Sequence, residues 1–236
     1  MDEFAFLKPR LTWDIVLSRR GLVGVAALAA MFTVGFSWGA WSRACAGERC
    51  PSIARLTTGT GPQQTSKIYA ADGRLITELG LERRTVLSLR EIPPWVRQAF
   101  LATEDKRFYR HHGIDYWRIL GSLKANIAAL SYTQGFSTIT MQLARNIFPD
   151  LGREKKLTRK LKEARVALEI EHNFSKDTIL QMYLNQIDLG AGSHGVEAAA
   201  QIYFAKSARE LNVAEAATLA AIPKAPSFYN PRLHPD

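Results

Sequence analysis

The rhythm of apolar and polar positions changes sharply along this chain. Between Arg20 and Arg43 runs "GLVGVAALAAMFTVGFSWGAWS", 22 residues without a charge. As a helix this stretch measures roughly 33 Å, enough for a hydrocarbon core of about 30 Å. It predicts a transmembrane anchor at 21–42 behind a tail at 1–20. A cleavable signal peptide is the rival, with a basic start and "ACA" at 44–46, but the apolar run exceeds a usual h-region. Next, "PSIARLTTGTGPQQTS" has no apolar period and reads, with the residues before it, as a stalk over 43–66. "KIYAADGRLITEL" holds two short apolar runs around Asp72-Gly73, a hairpin signal. From Pro93 the period becomes helical. Pro93-Pro94 opens a helix through "WVRQAFLATED", and 155–171 carries Leu157, Leu161, Ala164 and Leu168 on one stripe. Residues 176–184, 195–204 and 208–222 also predict helices.

Composition refines this picture. With 236 residues, 47% apolar and 22% charged, the chain can bury one sizeable core and is no disordered tail. Thirty-one Lys and Arg against 22 Asp and Glu leave +9, which favours an anionic partner: nucleic acid, phospholipid head groups or a phosphorylated substrate. Lys8, Arg10, Arg19 and Arg20 precede the span, and Arg43, Arg49 and Arg55 follow it, a slight lean towards an inside N-terminus. Trp38 and Trp41 suit an interfacial aromatic belt. Cys45 and Cys50 are compatible with a local disulfide or with two thiols.

Three stretches carry candidate chemistry. In "ATEDKRFYRHHG" (102–113) the segment ahead of Glu104 is apolar, so Glu104 is expected where a buried helix emerges into a cleft, a setting that raises a carboxylate's pKa and suits it to take a proton. A solvated charge pair at a helix end is the plainer alternative. In "GFSTITMQLARN" (135–146), a helix starting near Thr138 would make an anion cradle from its free N–H groups and the hydroxyls of Ser137, Thr138 and Thr140; an ordinary Ser/Thr cap is the alternative. In "RKLKE" (159–163), Arg159 and Glu163 share a helix face, a surface pair if taken alone. No His/Cys cluster completes a metal site.

Taken in order, these segments resemble the peptidoglycan glycosyltransferases, glycosyltransferase family 51, found in class A penicillin-binding proteins and in monofunctional enzymes. The resemblance covers 67–236. "EDKRFYRHHGID", "GFSTITMQLARN", "RKLKE", "KDTILQMYLNQIDLGAGSHGVEAAAQIYFAK" and "LAAIPKAPSFYNP" match its five ordered motifs. It implies a mainly α, lysozyme-like domain with a small N-terminal β-hairpin and a membrane-touching lobe, on the outer face of the cytoplasmic membrane. There it would polymerise lipid II into glycan strands and release undecaprenyl pyrophosphate. By the same resemblance Glu104 is the general base and Glu163 the second essential acid. Asp105, Phe108 and His111 support the first motif, and Ser137, Thr138, Gln142, Arg145, Arg159 and Lys160 surround the donor sugar and diphosphate. A divalent cation such as Mg²⁺ can share the pyrophosphate charge, although no protein ligand cluster demands one. Expected partners are lipid II, the growing strand, the membrane and other cell-wall synthesis proteins, not nucleic acid.

The sequence departs from the family pattern at Phe136 and Met141, where Gly and Gln are usual, and at Arg145, where Lys is common. The ending "NPRLHPD" falls where relatives continue into a final helix, so a domain truncated at its C-terminus is expected; no Ser-x-x-Lys nucleophile of penicillin-binding type is present. Two other function classes share parts of the pattern. A lytic transglycosylase or lysozyme-like hydrolase would need the Glu but not the basic diphosphate site, and an inactive cell-wall binding module would need neither.

Overall fold

The computed structural model describes residues 19–44, 53, 66–72, 74–79, 86–131, 135–148, 151, 156–226, 228, 229 and 231. Cys45, Cys50 and most of the expected stalk lie outside them. The chain divides into two compact units, Met1–Cys50 and Pro51–Asp236. In the first, α1 (Arg19–Ala44) contains the apolar window Leu22–Arg43, whose mean hydropathy is 1.7 and of which nothing is buried. By length and composition it can cross a membrane.

The second unit is mainly helical. Strands β1 (Ser66–Tyr69) and β2 (Leu75–Leu79) pair antiparallel, Ile68 opposite Thr77, with an irregularity after Ile68. The Asp72 carboxylate accepts from the Arg74 N–H at 3.0 Å and steadies the turn between them. The remaining helices are α2 (Pro94–Glu104), α3 (Tyr116–Ala128), α4 (Ile139–Ile147), α5 (Lys156–Asn173), α6 (Lys176–Gln186), α7 (Val196–Phe204) and α8 (Val213–Ala221). Pro94 starts α2, where its missing N–H costs nothing. Asp115, Thr138 and Ser175 cap α3, α4 and α6 by accepting a first-turn N–H.

One core joins these helices apart from α3, which contributes no apolar residue to it. Short α4 packs against α5 and α6, while α8 packs against α2. Ile139 and Leu143 of α4, Val166 and Ile170 of α5, and Ile179, Leu180 and Leu184 of α6 are all buried. Asn185 pins the loop before α2: its amide accepts from the Leu87 N–H and donates to the Leu87 carbonyl, both at 2.8 Å.

Two expectations change. The predicted 208–222 helix is broken, a 3₁₀ turn at Ala208–Glu210 preceding α8, because Asn212 and Glu215 form a capping box that starts a new helix. On α5 the buried residues are Lys162, Glu163, Ala164, Val166, Ala167 and Ile170; Ala164 of the expected stripe is among them, whereas Leu161 and Leu168 are only half-buried. The leucine stripe misled because an acid, Glu163, occupies the inward face, where burial requires it to be paired.

Candidate active site

Glu104 is the last residue of α2, and the chain turns out of the helix at Asp105. That break separates two adjacent carboxylates. Asp105 is buried at 1% exposure, while Glu104 is half-buried. His111 Nε2 lies 2.9 and 3.1 Å from the two Asp105 oxygens, an arrangement that places the ring proton on Nε2. Asp105 Oδ2 also accepts from the Ile139 N–H at 3.1 Å, so its charge rests at the N-terminus of α4, where the helix dipole favours it. Phe108 is fully buried and packs edge-on against His111, with ring centroids 6.2 Å apart. It therefore supports the histidine from the core and offers no surface to a ligand.

The Glu104 carboxylate has a different partner. Gln142, one turn into α4, donates from Nε2 to Glu104 Oε2 at 2.6 Å. The Arg118 guanidinium holds the Glu104 backbone carbonyl. Glu104 opens onto a cleft of about 430 Å³ whose walls set Lys106, Arg107 and Arg118 beside Asp105, Asp115 and Trp117. A carboxylate held at the mouth of such a cleft can accept a proton from a bound hydroxyl.

The loop into α4 leads to a second cluster. Lys160 Nζ donates to Ser137 Oγ at 2.6 Å and to Glu163 Oε2 at 2.5 Å. Arg159 Nε stands 3.4 Å from Glu163 Oε1, close enough to pair but not to make a good hydrogen bond. Glu163 is fully buried, whereas the side chains of Arg159 and Lys160 retain 25% and 19% of their exposure. The acid can influence a ligand only through its two cations. Arg145, in the last turn of α4, is half-buried.

Part of the expected cradle at the start of α4 is already filled by the protein. Asp105 takes the Ile139 N–H, Thr138 Oγ1 takes that of Met141, and the Thr138 carbonyl takes that of Gln142. Thr138 itself is buried and donates to the Gly113 carbonyl at 2.6 Å, and Thr140 donates to Glu171. The cap alternative describes Thr138, and of these hydroxyls Ser137 faces a candidate ligand-binding cation.

Several contributors carried little signal in the sequence. Asp115 caps α3 through the Arg118 N–H at 2.9 Å and pairs with Arg107. Burial would raise its pKa, but the guanidinium and the N–H outweigh burial and leave it lowered. Asp115 and Arg107 lie within the first motif, whereas nothing marked Arg118. Tyr183 of α6 is fully buried, its hydroxyl without a hydrogen-bond partner among the described residues. Burial first, then the nearby Glu104 charge, pushes its pKa well above the usual value, so the ring stays neutral.

Asp105, His111 and Asp115 lie close enough together to bracket a cation. Their oxygens are taken by His111, the Ile139 N–H, Arg107 and the Arg118 N–H, so the group as built does not fit a divalent metal.

A buried acid tying a helix start to a loop, beside an accessible carboxylate at the mouth of a cleft, marks a helical domain with a candidate proton acceptor. Comparison with known proteins agrees. The profile of the Transglycosylase family matches residues 72–236. The chain is 51% identical over 182 residues to penicillin-binding protein 1A of Aquifex aeolicus, covering 77% of this chain and 25% of that protein. It is 49% identical over 172 residues to penicillin-binding protein 1F of Bacillus subtilis, covering 73% and 24%. A crystal structure of penicillin-binding protein 1A from Haemophilus influenzae aligns at 32% identity with a TM-score of 0.36, over 72% of this chain and 16% of that one. The chain belongs to the transglycosylase family, the peptidoglycan glycosyltransferases of family 51, and spans about a quarter of the length of these curated relatives.

Proposed function

We propose that this chain is a membrane-anchored peptidoglycan glycosyltransferase that polymerises lipid II into glycan strands. The observation that carries the proposal is Glu104, half-buried, oriented by Gln142 and open to the cleft. Glu104 removes the proton from the 4-hydroxyl of the incoming GlcNAc. The freed oxygen attacks C1 of the growing strand's terminal sugar, the C1–O bond to the diphosphate breaks with inversion, and undecaprenyl pyrophosphate leaves with the electron pair. Arg145, Arg159 and Lys160 meet the charge that develops on it, where charge-assisted contacts contribute most. Glu163 acts as a positioning residue, holding Lys160 against Ser137. The anchor in α1 and the exposed apolar side of α3 keep the domain at the bilayer that supplies its lipid-linked substrate.

Glu104→Gln is the direct test. The amide keeps the shape but cannot accept the proton, so polymerisation of labelled lipid II in detergent should fall at least about 100-fold while lipid II still binds. Near-normal polymer from this variant would remove Glu104 as the base and turn attention to Asp105.

A further inference from the structure

A second cavity, of about 470 Å³, adjoins the catalytic cleft and shares Arg107, Asp115 and Trp117 with it as a common wall. Its size is typical of a small-ligand site. Arg110, His111, His112 and Tyr116 complete the part that matters here. Asp115 contributes no free negative charge, because Arg107 neutralises it. Arg110 is exposed and makes no ion pair among the described residues. His111 is nine-tenths buried and its ring proton points to Asp105, so it gives an anion in the cavity no donor. The cavity thus combines an uncommitted guanidinium at Arg110 with an exposed imidazole at His112, the chemistry of an anion site.

What lies beside it narrows the anion. Along α3 and just past it, Tyr116, Leu120, Leu123, Ile127 and Leu130 recur every three or four residues, and all are exposed. They form one stripe roughly 20 Å long at 1.5 Å per residue. Tyr116 and Trp117, at the N-terminal end of that stripe, also wall the cavity, and Trp117 is 75% exposed. A cationic pocket at the aromatic end of an exposed apolar stripe suits a ligand with a phosphate at one end and acyl chains at the other. We propose that this cavity is a subsite for the phosphate of an anionic phospholipid, read by Arg110 and His112. It is separate from the lipid II cleft. The inference rests on the membrane-bound reading of the domain given above.

The test uses the full chain in non-ionic detergent micelles, following histidine ring resonances by NMR, with the His112 signal assigned by its loss in His112→Gln. Titration with dihexanoyl phosphatidylglycerol should shift that signal saturably. Arg110→Gln should weaken the apparent affinity at least about tenfold, the loss of one charge-assisted contact, while leaving lipid II polymerisation in detergent intact. Dihexanoyl phosphatidylcholine and inorganic phosphate at the same concentrations should give no saturable shift. A response to inorganic phosphate as tight as to the lipid would make this a free-anion site. A tighter response to an acidic pentapeptide would assign the cavity to a substrate's peptide. A phosphatidylglycerol titration unchanged by Arg110→Gln would also overturn the proposal. If the chain polymerises lipid II but shows no lipid shift, the subsite alone falls; if it shows the shift but makes no polymer, the enzymatic reading alone falls.

Discussion

Gly195 shows how tightly single residues are constrained around the site. Its φ is +85°, and a Cβ there would sit 2.6 Å from the Asn185 backbone carbonyl oxygen. Asn185 is also the residue that pins the Leu87 backbone, so displacing it disturbs the loop that leads into α2. Gly113, also at +85°, is less crowded, with a Cβ meeting the Ala167 carbonyl at 3.0 Å. Gly195→Ala should therefore destabilise by roughly 1–3 kcal/mol from backbone strain alone, and more than Gly113→Ala. Urea unfolding of the two variants checks the order, and equal midpoints would refute it. The first motif makes the same point chemically. Neighbouring Glu104 and Asp105 differ in role because the helix ends between them, sending one towards Gln142 and the other towards His111.

Between elements, a surface network ties the segment before α2 to the 3₁₀ turn before α8. Glu91 accepts from the Ser88 hydroxyl at 2.7 Å and pairs with Arg209 at 2.5 Å. The Ser88 hydroxyl first, then Arg209, lowers the Glu91 pKa from 4.5 to about 2. A carboxylate with a depressed folded-state pKa stabilises the fold fully above its unfolded value and loses that contribution as pH falls through the folded one. Between pH 4.5 and about 2, then, the unfolded chain binds this proton more readily and stability declines with acid. Glu91→Gln should flatten that part of the stability curve and leave its slope near neutrality unchanged, as read from urea midpoints at several pH values. An identical acid slope in both proteins would exclude the contribution.

At the scale of the whole molecule, the two compact units present different surfaces. The Leu22–Arg43 window buries nothing within the structure, which in water would expose Leu28, Met31, Phe32 and Trp38. A bilayer removes that penalty. With the basic residues at 8–20 slightly favouring an inside N-terminus, protease added to intact spheroplasts should digest the chain beyond Arg43 and spare the first 20 residues. The reverse pattern would place the cleft away from an extracytoplasmic substrate and defeat the proposed function.

The sequence by itself determined the elements whose signals are local. Twenty-two uncharged residues announce a long apolar helix, Pro93-Pro94 and Thr138 mark helix starts, and ordered motifs identify the family, because each depends on spacing that the chain carries along its own length. Sequence periodicity placed Ala164 inward but missed the most buried positions of α5, since a count of leucines is blind to a buried acid paired with Lys160. The 3₁₀ turn before α8 escaped for a related reason: an alanine-rich run hides the capping box that restarts the helix. Only the tertiary structure decided which polar groups meet. Gln142 reaches Glu104 across 38 positions of chain, and Ser137 reaches Lys160 across 23. Arg118 reaches the Glu104 carbonyl from the first turn of α3, across the loop that joins it to α2. Hydrogen bonds and ion pairs at such separations depend on the packing of α4 against α5 and α6, which sums many weak apolar contacts that no short window of sequence contains.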